Sequence, residues 1–397
     1  MRNGTINEEE YENETTDGEW NSEYRRTPPL CLVGSAPDPA PGGLLYGQRG
    51  RGFAPAPTGR GGIPGAATGE PSELSARNRK TLKIVMGGTH SGHIPVLLEP
   101  VVNALTEGGS GRFLDATFGG GGHTRALLDE NVENEVVALD CDPEAIERGR
   151  ALESAYEGRL VLRQMNFSEL GSLDEEPFKG ILFDFGVSSY HLDDAERGFS
   201  FRLDAPLDMR MNPQGGIPAS GFLNKASYDQ LVEAVRNFGE EPRWRKIVRA
   251  IEGARGTERL ARTVAFAQLV EEAVGGRRQT DRIHPATRTF QGVRIAVNGE
   301  LAAIEEALPE AFARLRVGGR LAVISFHSLE DRLVKRFFRR MAGQSEHARD
   351  GIPDQFRTRR ARLLTRKPLT AEASETEINP RSRSAKLRIL EKERAAA

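Results

Sequence analysis

The stretch FLDATFGGGGHTRALL, Phe113 to Leu128, decides the fold. Phe113 and Leu114 have β character and run into an acid at Asp115. Four consecutive glycines, Gly119 to Gly122, follow, and His123 then opens a helix-forming sequence. Strand, glycine turn and helix is how an α/β sheet cradles a nucleotide-like ligand, because glycine admits positive φ and lets backbone approach the ligand closely. The next strand, EVVALD (Glu135 to Asp140), ends in an acid 21 residues after Gly119. A ribose-binding carboxylate is expected roughly 20 residues beyond such a turn. That spacing serves NAD and S-adenosylmethionine alike. The glycines separate them: a G-x-G-x-x-G fingerprint begun at Gly119 needs glycine where Thr124 stands, so the methyl donor fits better.

Outward from this unit the α/β rhythm continues. Upstream, the apolar spacing of Leu97, Leu98, Val101, Val102 and Leu105 predicts a helix starting near Pro95. Downstream, Asp142-Pro143 starts another helix. A third strand, Arg159 to Gln164, leads to Asn166-Phe167-Ser168, where Phe167 serves equally well as an adenine platform or as core. The fourth, Gly180 to Gly186, carries Asp184 at its carboxyl end, facing the crevice where such sheets bind ligands. A buried acid without function is costly to desolvate, which favours a functional Asp184.

The alternation then stops, and short amphipathic helices follow, one with a basic face of Arg243, Arg245, Lys246 and Arg249. Residues 189–285 therefore read as a helical insertion over the sheet edge that carries the glycine turn. It divides a core expected over 86–188 and 286–397. In the second part, Phe290, Val293, Val297, Leu301, Ile304 and Leu308 repeat at the spacing of one long helix. Leu321 to Ser328 is a fifth strand that presents Ser325, His327 and Ser328. AKLRILEK alternates as an edge strand should. Residues 1–85, acidic and then rich in Pro and Gly, read as a disordered extension.

At 38% hydrophobic and 28% charged residues, the composition is that of a soluble protein. No apolar run approaches the roughly 20 residues of a membrane span. Two distant cysteines, Cys31 and Cys141, make neither a disulfide framework nor a zinc site, so a reducing cytoplasm and no metal are expected. The net charge of -2 hides an asymmetry: from Lys335 onward there are 17 basic against 8 acidic residues. That end could supply phosphate contacts to a nucleic acid; a solvated basic face explains it equally well.

The glycine turn, Asp140, Phe167 and Asp184 lie at successive strand ends and can converge on one ligand. Direct methyl transfer to an oriented acceptor needs proximity more than covalent catalysis. Cys141, beside the ribose acid, is poorly placed as a nucleophile. An exocyclic amine is thus an easier target than a pyrimidine carbon.

The motifs HIPVLLEPVV, DATFGGGGHT, ALDCDPEAI, FDFGVSSYHLDDAERGFSFRLDAPLDMRM, HPATRTFQGVRIAVNGEL, GGRLAVISFHSLEDRLVKRFF and NPRSRSAKLR occur in this order. The chain from about His93 to Leu390 thereby resembles the 16S rRNA (cytosine-N4)-methyltransferase family called RsmH or MraW. The resemblance implies a class I S-adenosylmethionine-dependent methyltransferase core, Rossmann-like with a mostly parallel sheet and a helical insertion. It also implies a cytosine of the small-subunit rRNA decoding region as target, and it allows a homodimer. Carried over by motif, the cofactor contacts fall on Gly121, Gly122, His123, Asp140, Phe167, Asp184 and His191, with Asp184 catalytic. HPATRTFQ and SFHS would flank the cytosine, making His284, Arg288, Phe290, Ser325 and His327 candidates for RNA contact; capping and core packing are the alternatives for His284, Arg288 and Phe290. Three places depart from the family pattern: Phe185 for leucine, Tyr190-His191 for proline-glutamine, and Gly292 for alanine. A binding module that senses the ribosomal subunit without turnover is the competing reading, and retention of the cofactor-site acids disfavours it.

Overall fold

The computed structural model describes residues 94–276 and 283–394; the expected extension over 1–85 lies outside them. The chain begins with α1 (Leu98–Thr106), β1 (Arg112–Asp115), α2 (Gly122–Glu130), β2 (Glu135–Asp140), α3 (Pro143–Ala155), β3 (Leu160–Gln164) and β4 (Phe178–Asp184). Short helices follow: α4 (Ser189–Asp193), α5 (Ala219–Lys225), α6 (Tyr228–Val232), a π-helical turn (Glu233–Phe238), α7 (Trp244–Gly253) and α8 (Thr263–Ala273). Then come α9 (Ala286–Asn298), α10 (Glu300–Arg314), β5 (Leu315–Ser325), α11 (Ser328–Met341), β6 (Ala361–Leu363), α12 (Ala373–Ile378) and β7 (Lys386–Lys392).

The strands form one sheet in the order β3-β2-β1-β4-β5-β7-β6. β1 to β5 are parallel, and β7 runs antiparallel to β5 and β6. This is the Rossmann-like, mostly parallel sheet expected from the sequence. Strand order reverses between β1 and β4, and at such a switch point the carboxyl ends of the strands open a crevice. Alternate residues face opposite sides. Leu114, Val137, Phe183 and Val323 pack with Ile304 and Leu308 of α10 and Val334 of α11. Phe113, Val136, Leu182 and Ala322 pack with α1 to α3 through Leu105, Leu127 and Ile146. The helices after β4 have their own cluster, built on Leu231, Ile247, Ile251, Phe266 and Val270, which Phe290 and Val293 of α9 join.

Four local expectations change. The strand expected at the sheet's edge, β7, lies inside the sheet, paired with β5 on one side and β6 on the other, and β6 takes the edge. The single long helix is two, because Gly299 turns left-handed (φ 61) between α9 and α10. The Asn298 side chain fixes that break by donating to Met209 O and accepting from Met211 N–H, both at 2.8 Å. β5 starts at Leu315, not Leu321, so RVGGR lies within the strand, with a register shift against β4 between Phe178 and Gly180. The first helix begins at Leu98, after Leu97 takes φ 53, and not at Pro95. Among the described residues no helix is long and apolar enough to cross a membrane.

Candidate active site

β1 delivers Asp115 directly beneath the glycine turn. The side chain is buried; Thr124 Oγ1 donates to its Oδ2 at 2.7 Å, and Thr117 N–H donates to Oδ1 at 3.1 Å. One carboxyl thus ties the strand end to the first turn of α2. Burial pushes it up to about 6, against the pull of those two hydrogen bonds. Gly122 packs so tightly on Pro95 that an added Cβ would lie 2.2 Å from Pro95 Cγ. His123 is buried beside it, its Nε2 3.0 Å from Val96 O. A carbonyl only accepts, so that nitrogen carries the proton and Nδ1 faces Asp184 Oδ2 at 3.7 Å.

At the end of β2, Asp140 accepts Gly119 N–H on Oδ2 (2.8 Å) and Asp142 N–H on Oδ1 (2.9 Å). Burial raises its carboxyl above the ordinary range, opposed by those two donors. Each oxygen keeps a second acceptor site, which is what a vicinal diol requires. Phe167, half-buried, packs on Phe183 and Phe185 at 5.6 and 5.7 Å between ring centroids.

His191 is placed differently from a simple ligand contact. Its Nδ1 accepts Ser188 N–H (3.3 Å), leaving Nε2 to donate to Asp142 Oδ2 at 3.0 Å, and its ring stacks on Phe199. Arg197 also reaches Asp142 Oδ2 at 3.1 Å. Burial alone would raise the Asp142 carboxyl, but His191 and Arg197 hold it below the ordinary range. His191 therefore braces the turn after Asp140 and lines the cavity as well.

That cavity opens at the switch point. Gly122, His123, Asp140, Phe167, Asp184 and His191 all line it, together with Glu300, Glu330 and Arg381, which the motif reading missed. Of the seven cofactor candidates, Gly121 alone is not part of the lining; it takes φ 72 behind the turn. Asp184 stands at the carboxyl end of β4, and its N–H donates to Thr117 Oγ1 at 2.7 Å. Its side chain is 24% exposed, yet Oδ1 is enclosed without a hydrogen-bond partner. Burial, then the nearby charges of Asp115 and Glu330, push the Asp184 carboxyl well above its ordinary value.

The other two acids of the lining are balanced. Arg294 grips Glu300 with two 2.8 Å hydrogen bonds. Glu330 Oε2 accepts Phe326 N–H at 2.7 Å, and His327 Nε2 lies 3.1 Å from Oε1. Although burial raises Glu330, His327 and Arg294 bring it below the ordinary range. Glu300, His327 and Glu330 place ligand-type atoms within 4.8 Å of one another. With both Glu300 oxygens committed to Arg294, the cluster reads as an ion-pair network, not a metal centre.

None of the five RNA candidates lines this cavity. His284 Nδ1 accepts Ala286 N–H (3.1 Å) at the start of α9, and Nε2 faces Glu271 at 3.4 Å. Phe290 is buried between Phe201 and Phe266. Ser325 is buried in β5, its hydroxyl 3.4 Å from Lys386 O. His327 caps α11. Arg288 is exposed, with a 3.4 Å hydrogen bond to Glu240 O. Capping explains His284 and His327, because a histidine at a helix start can satisfy a free backbone N–H group, and packing explains Phe290 and Ser325; Arg288 alone is left.

The profile of the MraW methylase family matches residues 90–393. The chain belongs to the MraW methylase family. Two relatives are each named Ribosomal RNA small subunit methyltransferase H. That of Thermomicrobium roseum is 46% identical over 326 residues, covering 80% of this chain and 98% of the relative. That of Methylobacterium nodulans is 47% identical over 307 residues, covering 76% and 90%. As an MraW methylase, the chain is a methyltransferase that uses S-adenosylmethionine. The side chains present suit that cofactor: an acid with acceptor sites free for a diol, an aromatic face, a glycine turn open to backbone approach, and a cavity-lining carboxyl with one unpartnered oxygen.

Proposed function

We propose that this enzyme methylates the N4 exocyclic amine of a cytosine in the decoding region of 16S rRNA, within the small ribosomal subunit. The observation that carries the reading is Asp184: a strand-end carboxyl that opens on the cofactor cavity with one enclosed oxygen unpartnered. The names of the relatives support rRNA as the substrate. Asp140 would hold the ribose, Phe167 the adenine, and the turn from Gly119 to His123 the remainder of S-adenosylmethionine, which supplies an electrophilic methyl group. The target base leaves its stack to reach the pocket. Asp184 accepts a hydrogen bond from the amine, aiming the nitrogen lone pair at the methyl carbon, and takes the proton as the C–N bond forms and the C–S bond breaks. His123, held by Val96, faces the same carboxyl through Nδ1 at 3.7 Å and helps to orient it.

A cysteine-adduct route to carbon methylation fits poorly. Cys141 is the only cysteine among the described residues, and burial with flanking Asp140 and Asp142 pushes its thiol up to about 12. The helices after β4, with Arg288 on their exposed side, are proposed to present the RNA. The test is incubation with labelled S-adenosylmethionine and undermethylated small subunits, followed by nucleoside analysis. Label in N4-methylated cytidine supports the proposal; label in a carbon-methylated pyrimidine, or none in 16S rRNA, contradicts it.

A further inference from the structure

The basic excess toward the carboxyl terminus gathers into a groove separate from the active site. α11, the β6–β7 edge and the segment after β6 enclose a depression of about 650 Å³. Six of its twelve lining residues are cations (Lys335, Arg339, Arg359, Arg362, Arg366 and Arg388), and none is acidic. Three have acids behind them: Arg388 pairs with Asp331 at 2.7 Å, Arg359 with Glu393 at 2.7 Å, and Arg362 with Glu391 at 3.0 Å. Arg339 Nε donates to the Ser345 carbonyl, which leaves its charge uncompensated. Lys335 and Arg366 are exposed and make no hydrogen bond or ion pair among the described residues.

One helix, α11, contributes to both the active-site cavity and the groove. Lys335 follows the cavity-lining Glu330 by five residues on α11, about 8 Å along the axis, and Arg339 lies about 14 Å along it. We propose that this groove binds the phosphodiester backbone of the RNA whose base is methylated, which rests on the RNA substrate proposed above. A cleft lined by one sign of charge over low-dielectric walls focuses the field on anions. Guanidinium forks match phosphate oxygens, and Thr365 and Gln344 add neutral donors. Cations spread along a helix and a strand edge suit a run of phosphates better than one compact anion. Such contacts fix the register of the substrate without reading its bases.

The test uses the full chain with two double variants, K335E/R366E and K335Q/R366Q. Both residues are exposed and unpaired among the described residues, so the fold does not depend on them. The probes are 16S rRNA in undermethylated small subunits, polyglutamate, and S-adenosylmethionine alone. Charge reversal should raise KM for the rRNA by at least about tenfold, with a smaller rise for the glutamines. It should also flatten the salt dependence of RNA binding by about one to two logarithmic units per decade of salt, as expected for losing two phosphate contacts. S-adenosylmethionine affinity should not move. An unchanged KM and salt slope, in a protein that does methylate the rRNA, overturns the proposal. Loss of polyglutamate binding with RNA binding intact also overturns it, assigning the groove to an acidic protein. If the unaltered chain transfers no methyl to rRNA, the substrate reading fails too, which differs from a defect confined to the variants.

Discussion

Asp115 offers the sharpest physical test, because one side chain makes opposite demands on stability and on the turn it supports. Moving an aspartate from its ordinary 3.8 to about 6 corresponds to about 3 kcal/mol, at about 1.4 kcal/mol per pH unit. The sign follows from the raised value: the folded state holds the proton more tightly than the unfolded chain. This contribution is fully present below about pH 4, is lost as pH rises toward 6, and stays lost above it. Asp115→Asn keeps the shape, accepts from Thr117 N–H and can donate to Thr124 Oγ1, but cannot ionise. Urea unfolding of both proteins from pH 4 to pH 8 should show the variant gaining about 3 kcal/mol on the parent between about pH 4 and 6.5, then a plateau. Asp115→Ala should lose most stability near pH 4, where the Thr124 hydroxyl and Thr117 N–H go unmet at about 1–3 kcal/mol each, and less above pH 6, where it also escapes the cost of ionising the buried carboxyl. A stability difference between Asp115→Asn and parent that stays flat across that range would refute the reasoning.

Asp184→Asn should lower the single-turnover methyl-transfer rate about tenfold to a hundredfold, the worth of one charged hydrogen bond, with cofactor affinity within a few-fold; an unchanged rate removes Asp184 from catalysis. Because the Asp184 carboxyl is raised and must be ionised to accept the amine proton, the parental rate should climb with pH, while the variant's profile is flatter. Gly122→Ala forces a methyl group into Pro95 and should destabilise by about 1–3 kcal/mol while weakening cofactor binding; calorimetry and ligand titration read both. His191→Gln should keep cofactor affinity within a few-fold, whereas His191→Ala should weaken it by removing the 3.0 Å hydrogen bond to Asp142 and leaving that carboxylate to Arg197 and the more distant Arg148.

β2 and β4 were legible because their apolar runs are buried on both faces and end in acids: Glu135–Asp140 is β2 as read, and Asp184 closes β4. Glycine spacing and strand-end position likewise located Asp140, and the cavity brings it together with Phe167 and Asp184. What stayed hidden depends on contacts between residues far apart in sequence. Periodicity carried straight through Gly299, since helical spacing persists across a one-residue break. Glu330, on α11, and Glu300, on α10, come together at the cavity only through the packing of the two helices. His327 sits in a motif that looks chemical but caps a helix. Gly292 acquires a reason only in three dimensions: the π-helical turn brings Ala234 O to 1.9 Å from where a Cβ would stand. A π turn leaves no local pattern by which to anticipate it.

The proposed chemistry at the end of β4 delivers the methyl group to the amine nitrogen of an rRNA cytosine beside Asp184. Mass mapping of 16S rRNA from cells with and without this protein tests it most directly. One cytidine in the decoding region should lose N4 methylation without the protein and regain it with the parental chain, but recover poorly with Asp184→Asn. An identical methylation map in both cells, or a lost methyl on ring carbon, would contradict it.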